Sequence, residues 1–202
     1  MSMRLQERLS VNNPIRDWFM RGEMAAFRRL ADLPAGAAVL DMGCGRGTSV
    51  RLILQMFRPA RLAAFDIDSA AVEQARRRLA PLLGQSVELR VADATRLPFA
   101  DSEFDAAFEL GILHHIPDWR AALRETARVL RPGGVFYFAE PSYGRIHRGL
   151  YCLMGHPKDA GFTADALRRA LSDAGLQPGE CFRRTPLWDL VGIARRADEG
   201  AG

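Results

Sequence analysis

Short apolar runs alternate along this chain with stretches whose apolar residues recur every three or four positions. The runs Val39–Met42, Arg61–Asp66, Val87–Val91, Phe104–Glu109 and Val135–Ala139 are strand-length, and Val87–Val91 sets outward Glu88 and Arg90 between apolar neighbours. Helical spacing predicts helices over Thr48–Phe57, about Ala70–Leu82, from an Asp118 cap to Leu130, and over Thr163–Ala174. Pro59, Gly84, Pro132-Gly133 and Gly175 stop them in turn. Near the start, Ile15, Trp18, Phe19, Met24, Phe27 and Leu30 fall close to helical spacing, with Arg16, Arg21, Glu23 and Arg28 between them. They predict one or two amphipathic helices up to about Leu33.

Five strand-then-helix repeats imply a parallel sheet with helices on both faces, because right-handed crossovers need a helix's length. The tail differs. Leu176–Phe182 and Leu187–Ala194 are joined by a link that permits a hairpin, so an antiparallel strand is expected to close the sheet. At 202 residues the chain suits one domain. Residues 1–33 would form a helical segment, 34–140 a ligand-binding core, and 141–202 an insertion and the closing hairpin. Trp18, Phe19 and Phe27 are read either as a lid or as a cover for the core, with peripheral membrane contact a third option.

Charge adds little. The 28 basic residues exceed 24 acidic ones, and all the base except Lys158 is arginine. It is spread over helix faces (Arg28-Arg29, Arg76-Arg77-Arg78, Arg168-Arg169), as a solvated surface would have it. No basic stripe interleaved with exposed aromatics is visible, so no nucleic-acid partner is expected. Cys44, Cys152 and Cys181 are odd in number and far apart, which argues against a disulfide framework or structural zinc and fits a cytoplasmic location. No apolar run is long enough for a transmembrane segment, and Met1–Ser10 lacks a signal-peptide core.

The candidate chemistry centres on Val39-Leu40-Asp41-Met42-Gly43-Cys44-Gly45-Arg46-Gly47, a buried strand ending in an acid and breaking into a glycine turn before a helix. Such a turn lets backbone approach a ligand closely, and the helix start adds donors and a positive dipole end. A dinucleotide fingerprint counted from Gly43 would need glycine where Thr48 stands. Asp41 would also repel a pyrophosphate, whereas it suits a ligand carrying an ammonium group. Its bland alternative is a turn or helix cap. Asp66 ends the second strand about twenty residues on, where an acid accepts from a ribose diol. Ile67 would pack on a nucleobase, while Asp68-Ser69 caps the next helix.

This stretch resembles motif I of the class I S-adenosylmethionine-dependent methyltransferases. Leu113-His114-His115-Ile116-Pro117-Asp118 and Leu130-Arg131-Pro132-Gly133-Gly134 are similar to the type 11 branch, typified by ubiquinone and menaquinone biosynthesis. The resemblance covers about Ala38 to Glu140. It implies a Rossmann-like α/β fold with a seven-stranded, mostly parallel sheet, and S-adenosyl-L-methionine as cofactor. Gly43, Cys44, Gly45 and Gly47 would then give close backbone approach. Asp93 would accept from the adenine amino group with the Ala94 N–H donating to the ring, unless Asp93 merely makes an Asx turn. Glu109 would line the cofactor, or serve an ion pair or cap. Arg131–Gly134 reads as a turn into the fifth strand.

Catalytic candidates are weaker. His115, and less so His114, tempt a base or metal reading, but ring nitrogens also cap local backbone. Tyr143, His147 and His156 lie past the fifth strand, where this fold forms acceptor pockets. The apolar residues of Pro141–Phe162 and the N-terminal helices are expected to choose an apolar or amphiphilic small-molecule acceptor. No metal-ligand spacing appears. The alternative is a module that binds S-adenosylmethionine or S-adenosylhomocysteine for a partner protein without turning over an acceptor.

Overall fold

A computed structural model describes residues 14–84, 86–141, 162–183 and 189–198. Helix α1 (Pro14–Leu30) leads into β1 (Ala38–Met42), α2 (Thr48–Phe57), β2 (Arg61–Asp66), α3 (Ser69–Leu79) and β3 (Val87–Val91). Strand β4 (Phe104–Leu110), a single 3₁₀ turn (Leu113–His115), α4 (Trp119–Val129) and β5 (Leu130–Pro141) follow, then α5 (Ala164–Asp173), β6 (Leu176–Arg183) and β7 (Asp189–Arg196). The seven strands lie in the order β3-β2-β1-β4-β5-β7-β6. All pairs from β3 to β5 are parallel, and β7 runs antiparallel to both neighbours.

Both faces of the sheet are buried, which is why its strands read as nearly unbroken apolar runs. Leu40, Met42, Ala63, Phe65, Phe136 and Phe138 point to the face covered by α4 and α5. Val39, Leu62, Ala64, Phe108, Tyr137 and Val191 point to the face covered by α1, α2 and α3. On that second face Phe108 and Tyr137 stack with ring centroids 4.6 Å apart, and Phe27 of α1 and Phe57 of α2 close on them. Phe27 is therefore core. Trp18 is 65% exposed and meets Phe19 edge to face.

Two expectations need correction. No helix links β3 to β4. Leu97 and Phe99 in that link bury their side chains, and α4 satisfies the link's backbone instead: Glu125 accepts from the Leu97 N–H, while Arg128 donates to the Leu97 and Phe99 carbonyls. Arg131–Gly134 is no turn ahead of the fifth strand, because β5 begins at Leu130. It bulges there: β4 advances from Phe104 to Ala106 while its partner advances from Leu130 to Val135. Gly133 takes φ +72°, and a Cβ on Gly134 would sit 2.8 Å from the Arg131 carbonyl oxygen, so the bulge needs both glycines.

Candidate functional site

Acids end four of the parallel strands at their carboxyl tips, on either side of the change in strand order between β1 and β4. Asp41 is completely buried on the face shared with α2. The Ser49 hydroxyl donates to its Oδ2 at 2.5 Å, and Oδ1 has no hydrogen-bond partner among the described residues. Burial, reinforced by the nearby charges of Asp66 and Glu109, raises its pKa to about 7. A buried, half-satisfied carboxyl of this kind is stabilised by an incoming donor or cation.

The glycine turn divides its work. A Cβ on Gly43 would lie 2.4 Å from Ile112 Cγ2, and one on Gly47 2.8 Å from Leu79 Cδ1. Those two glycines serve packing as well as their positive φ. Gly45, also at positive φ, faces open space, and an added Cβ there would meet no protein atom within 4 Å. The turn's N–H groups are largely used internally, Cys44 on the Phe65 carbonyl, Gly45 on Asp66 Oδ2 and Gly47 on the Cys44 carbonyl. Cys44 turns its thiol into the core, where burial pushes its pKa strongly up. Its contribution to a ligand is confined to backbone.

Asp66 accepts one N–H on each oxygen, from Gly45 and from Asp68, both at 2.9 Å, so each oxygen retains a lone pair. Burial raises its pKa from the ordinary value. Asp68 caps α3 through the Ala70 N–H. Two apolar side chains stand exposed beside it, Ile67 at 53% and Val91 at 48%, and Val91 pairs with Asp66 across β2 and β3. Val91 escaped the sequence reading because a valine ending a strand looks like core. Asp93 follows β3 at the same edge, but its Oδ1 accepts from the Thr95 N–H and hydroxyl, both at 2.8 Å. That is an Asx turn, which holds the loop and leaves Oδ2 and the Ala94 N–H without a protein partner among the described residues. Ala94's methyl packs in the core.

Glu109 is wholly buried at the end of β4 and accepts the Ile112 N–H at 2.5 Å. Burial first, then the adjacent charge of Glu140, raises its pKa well above the carboxylate range. The two carboxyls lie within reach of each other's charge, and Glu109 Oε2 has no hydrogen-bond partner among the described residues. Glu140, at the end of β5, was missed in the sequence reading. It is also wholly buried, accepts the Leu113 N–H at 2.7 Å, and sets Oε2 2.7 Å from His114 Nδ1. Of the histidine pair, therefore, His114 holds the buried carboxylate, while His115 packs its ring 4.0 Å from that of His114. Tyr143, His147 and His156 lie outside the described residues.

The arrangement fits S-adenosylmethionine. Asp41 Oδ1 offers a buried anionic acceptor for the ammonium, Asp66 offers lone pairs for the ribose diol, and Ile67 with Val91 gives the base an apolar rim.

Residues 40–138 match a family described as a methyltransferase domain. A fatty-acid O-methyltransferase of Mycolicibacterium smegmatis is 39% identical over 112 residues, 54% of this chain and 39% of that protein. The ubiquinone/menaquinone biosynthesis C-methyltransferase UbiE of Desulfotalea psychrophila is 35% identical over 101 residues, 50% of this chain and 40% of that protein. The chain spans less than half the length of such relatives. In fold, an S-adenosylmethionine-dependent methyltransferase from Aquifex aeolicus superimposes with a TM-score of 0.77 at 18% identity, covering 97% of this chain and all of that one.

Proposed function

We propose that the chain, whose residues 40–138 match a methyltransferase domain, is an S-adenosylmethionine-dependent methyltransferase that transfers a methyl group to a small apolar or amphiphilic acceptor. The carrying observation is the buried Asp41 carboxyl with an oxygen left for a cation, next to a glycine turn and the Asp66 carboxyl. The bound donor supplies an already activated methyl group on a sulfonium. What remains for the protein is alignment and exclusion of water. Positioning of this kind is worth roughly 7–11 kcal/mol of a barrier. Asp41 orients the amino-acid end, Gly45 admits the close approach, and Asp66, Ile67 and Val91 hold the nucleoside. Asp93 keeps its loop in shape and presents Oδ2 and the Ala94 N–H to the base. Glu109 braces the Ile112–Leu113 turn that packs on Gly43.

An apolar or amphiphilic acceptor is supported by the relatives: besides the two above, a 27-O-demethylrifamycin SV methyltransferase of Amycolatopsis mediterranei is 35% identical over 137 residues. Calorimetry with S-adenosylhomocysteine and with NAD, followed by an acceptor screen that measures S-adenosylhomocysteine release, tests this reading. Binding of the former alone, with turnover of an apolar acceptor, is expected. Binding without turnover of phenols, thiols, amines or lipids would leave only a cofactor-binding module.

A further inference from the structure

We infer that the outer face of helices α1, α2 and α3 docks on an anionic phospholipid surface, with the cavity between Arg21, Arg51 and Arg78 taking a phosphate headgroup. The inference goes beyond the methyl-transfer reading and does not depend on it. Arginines scattered along the sequence converge here. Arg21 of α1, Arg51 of α2 and Arg78 of α3 line one cavity of about 80 Å³ together with Thr48 and Gln55. Arg46 extends the cluster, since its carbonyl accepts from Arg78 Nη1 at 3.3 Å. Among the described residues no acid lines the cavity: α2 contains none, and Glu23 of α1 is 1% exposed. Arg61, Arg76, Arg77, Arg90, Arg128 and Arg131 each meet a carboxylate, whereas neither Arg21 nor Arg51 has an acid partner among the described residues. Like charges gathered around a hollow repel one another. A phosphate relieves that repulsion, and guanidinium forks match its oxygens.

Trp18 decides the source of the phosphate. It precedes Arg21 by three positions, so the two share a face of α1, and it is exposed. Arg28, also exposed, continues that stripe seven positions beyond Arg21, while Met24 and Phe27 are buried in the core. The layer of lipid headgroups suits an indole, apolar in body and polar at its N–H, at the depth where phosphates lie. A basic patch beside it adds attraction for each arginine near the surface. A free phosphate would use the arginines and leave the exposed ring without a role. A nucleic-acid strand stacks on successive aromatics, and Trp18 is the only exposed aromatic among the described residues. The cavity reaches Thr48, which directly follows the glycine turn, so docking brings the donor site to the surface in which apolar acceptors dissolve.

Sedimentation of the full chain with vesicles tests the assignment, using equal parts phosphatidylglycerol and phosphatidylcholine against phosphatidylcholine alone. The protein is expected to pellet with the mixed vesicles only, and to be released as salt is raised. Tryptophan emission should shift to the blue on the mixed vesicles, and Trp18→Ser should abolish the shift. Arg21→Gln combined with Arg51→Gln should weaken partitioning by about fivefold for each charge removed. Arg168→Gln combined with Arg169→Gln takes the same charge from α5, across the sheet, and should change it by less than about twofold. Circular dichroism melting of each variant checks that it is folded. Pelleting with both vesicle types alike, no pelleting, equal weakening by the two arginine pairs, or a blue shift that survives Trp18→Ser would overturn the docking. So would binding of inorganic phosphate in calorimetry, or of a single-stranded oligonucleotide, by a protein that ignores the mixed vesicles. None of these outcomes touches S-adenosylhomocysteine binding, which is measured without vesicles.

Discussion

Replacing Asp41 by asparagine keeps the shape of the side chain and removes the charge that the fold buries. Asp41 titrates near 7 in the folded protein because burial disfavours its ionised form, against 3.8 for an exposed aspartate. Below the lower value both states hold the proton, and the site carries no charge penalty. As pH rises between the two, the unfolded chain releases its proton first, so wild-type stability falls by about 1.4 kcal/mol per pH unit. Between about pH 5 and 7 this amounts to roughly 2 kcal/mol, because the folded state also begins to release its proton as the pH nears 7. Asparagine does not titrate. It carries a constant cost of about 1–3 kcal/mol, because its amide N–H groups replace an acceptor oxygen in a buried site. Urea unfolding of both proteins across this range, without ligand, is the assay. The variant is expected to gain on wild type by roughly 2 kcal/mol as pH rises over this range. In exchange, its affinity for S-adenosylhomocysteine should drop by roughly 1.5–3 kcal/mol, the worth of a hydrogen bond to a charged group. A stability difference that stays constant with pH would refute the buried-charge argument.

Asp66→Ala removes the acceptor for two backbone N–H groups and for the proposed diol. Calorimetry should show S-adenosylhomocysteine binding weakened by about 1.5–3 kcal/mol in a folded variant. Gly43→Ala and Gly45→Ala separate packing from ligand approach. The first forces a methyl group onto Ile112 and should lower the thermal midpoint; the second meets no protein atom within 4 Å, so its main loss should be in S-adenosylhomocysteine affinity. Tyr137→Phe deletes the hydroxyl that donates to the Ala31 carbonyl at 3.0 Å and anchors the exit of α1. Chemical unfolding should register a loss of about 1 kcal/mol.

Much of the candidate site is legible in sequence because an acid that ends an apolar run has few structural reasons to be there. Asp41, Asp66 and Glu109 stand out in this way, and so does Glu140 in hindsight, after Val135-Phe136-Tyr137-Phe138-Ala139. Caps were readable too, since Asp68 and Asp118 accept N–H bonds at the helix starts they precede. What resisted reading depends on partners distant in the chain. His114 and Glu140 are 26 residues apart and meet only because β4 and β5 lie side by side. Nothing local says that Gly43 faces Ile112 or Gly47 faces Leu79, so those glycines looked like ligand contacts alone. The same holds for the β3–β4 link, whose backbone is satisfied by Glu125 and Arg128 of a later helix.

A crystal structure with S-adenosylhomocysteine bound tests the central claim most directly. The account predicts the amino group on Asp41, the ribose on Asp66 and the adenine between Ile67 and Val91, across the tips of β1, β2 and β3. A nucleoside seated anywhere else, or crystals that take up none at saturating concentration, would contradict it.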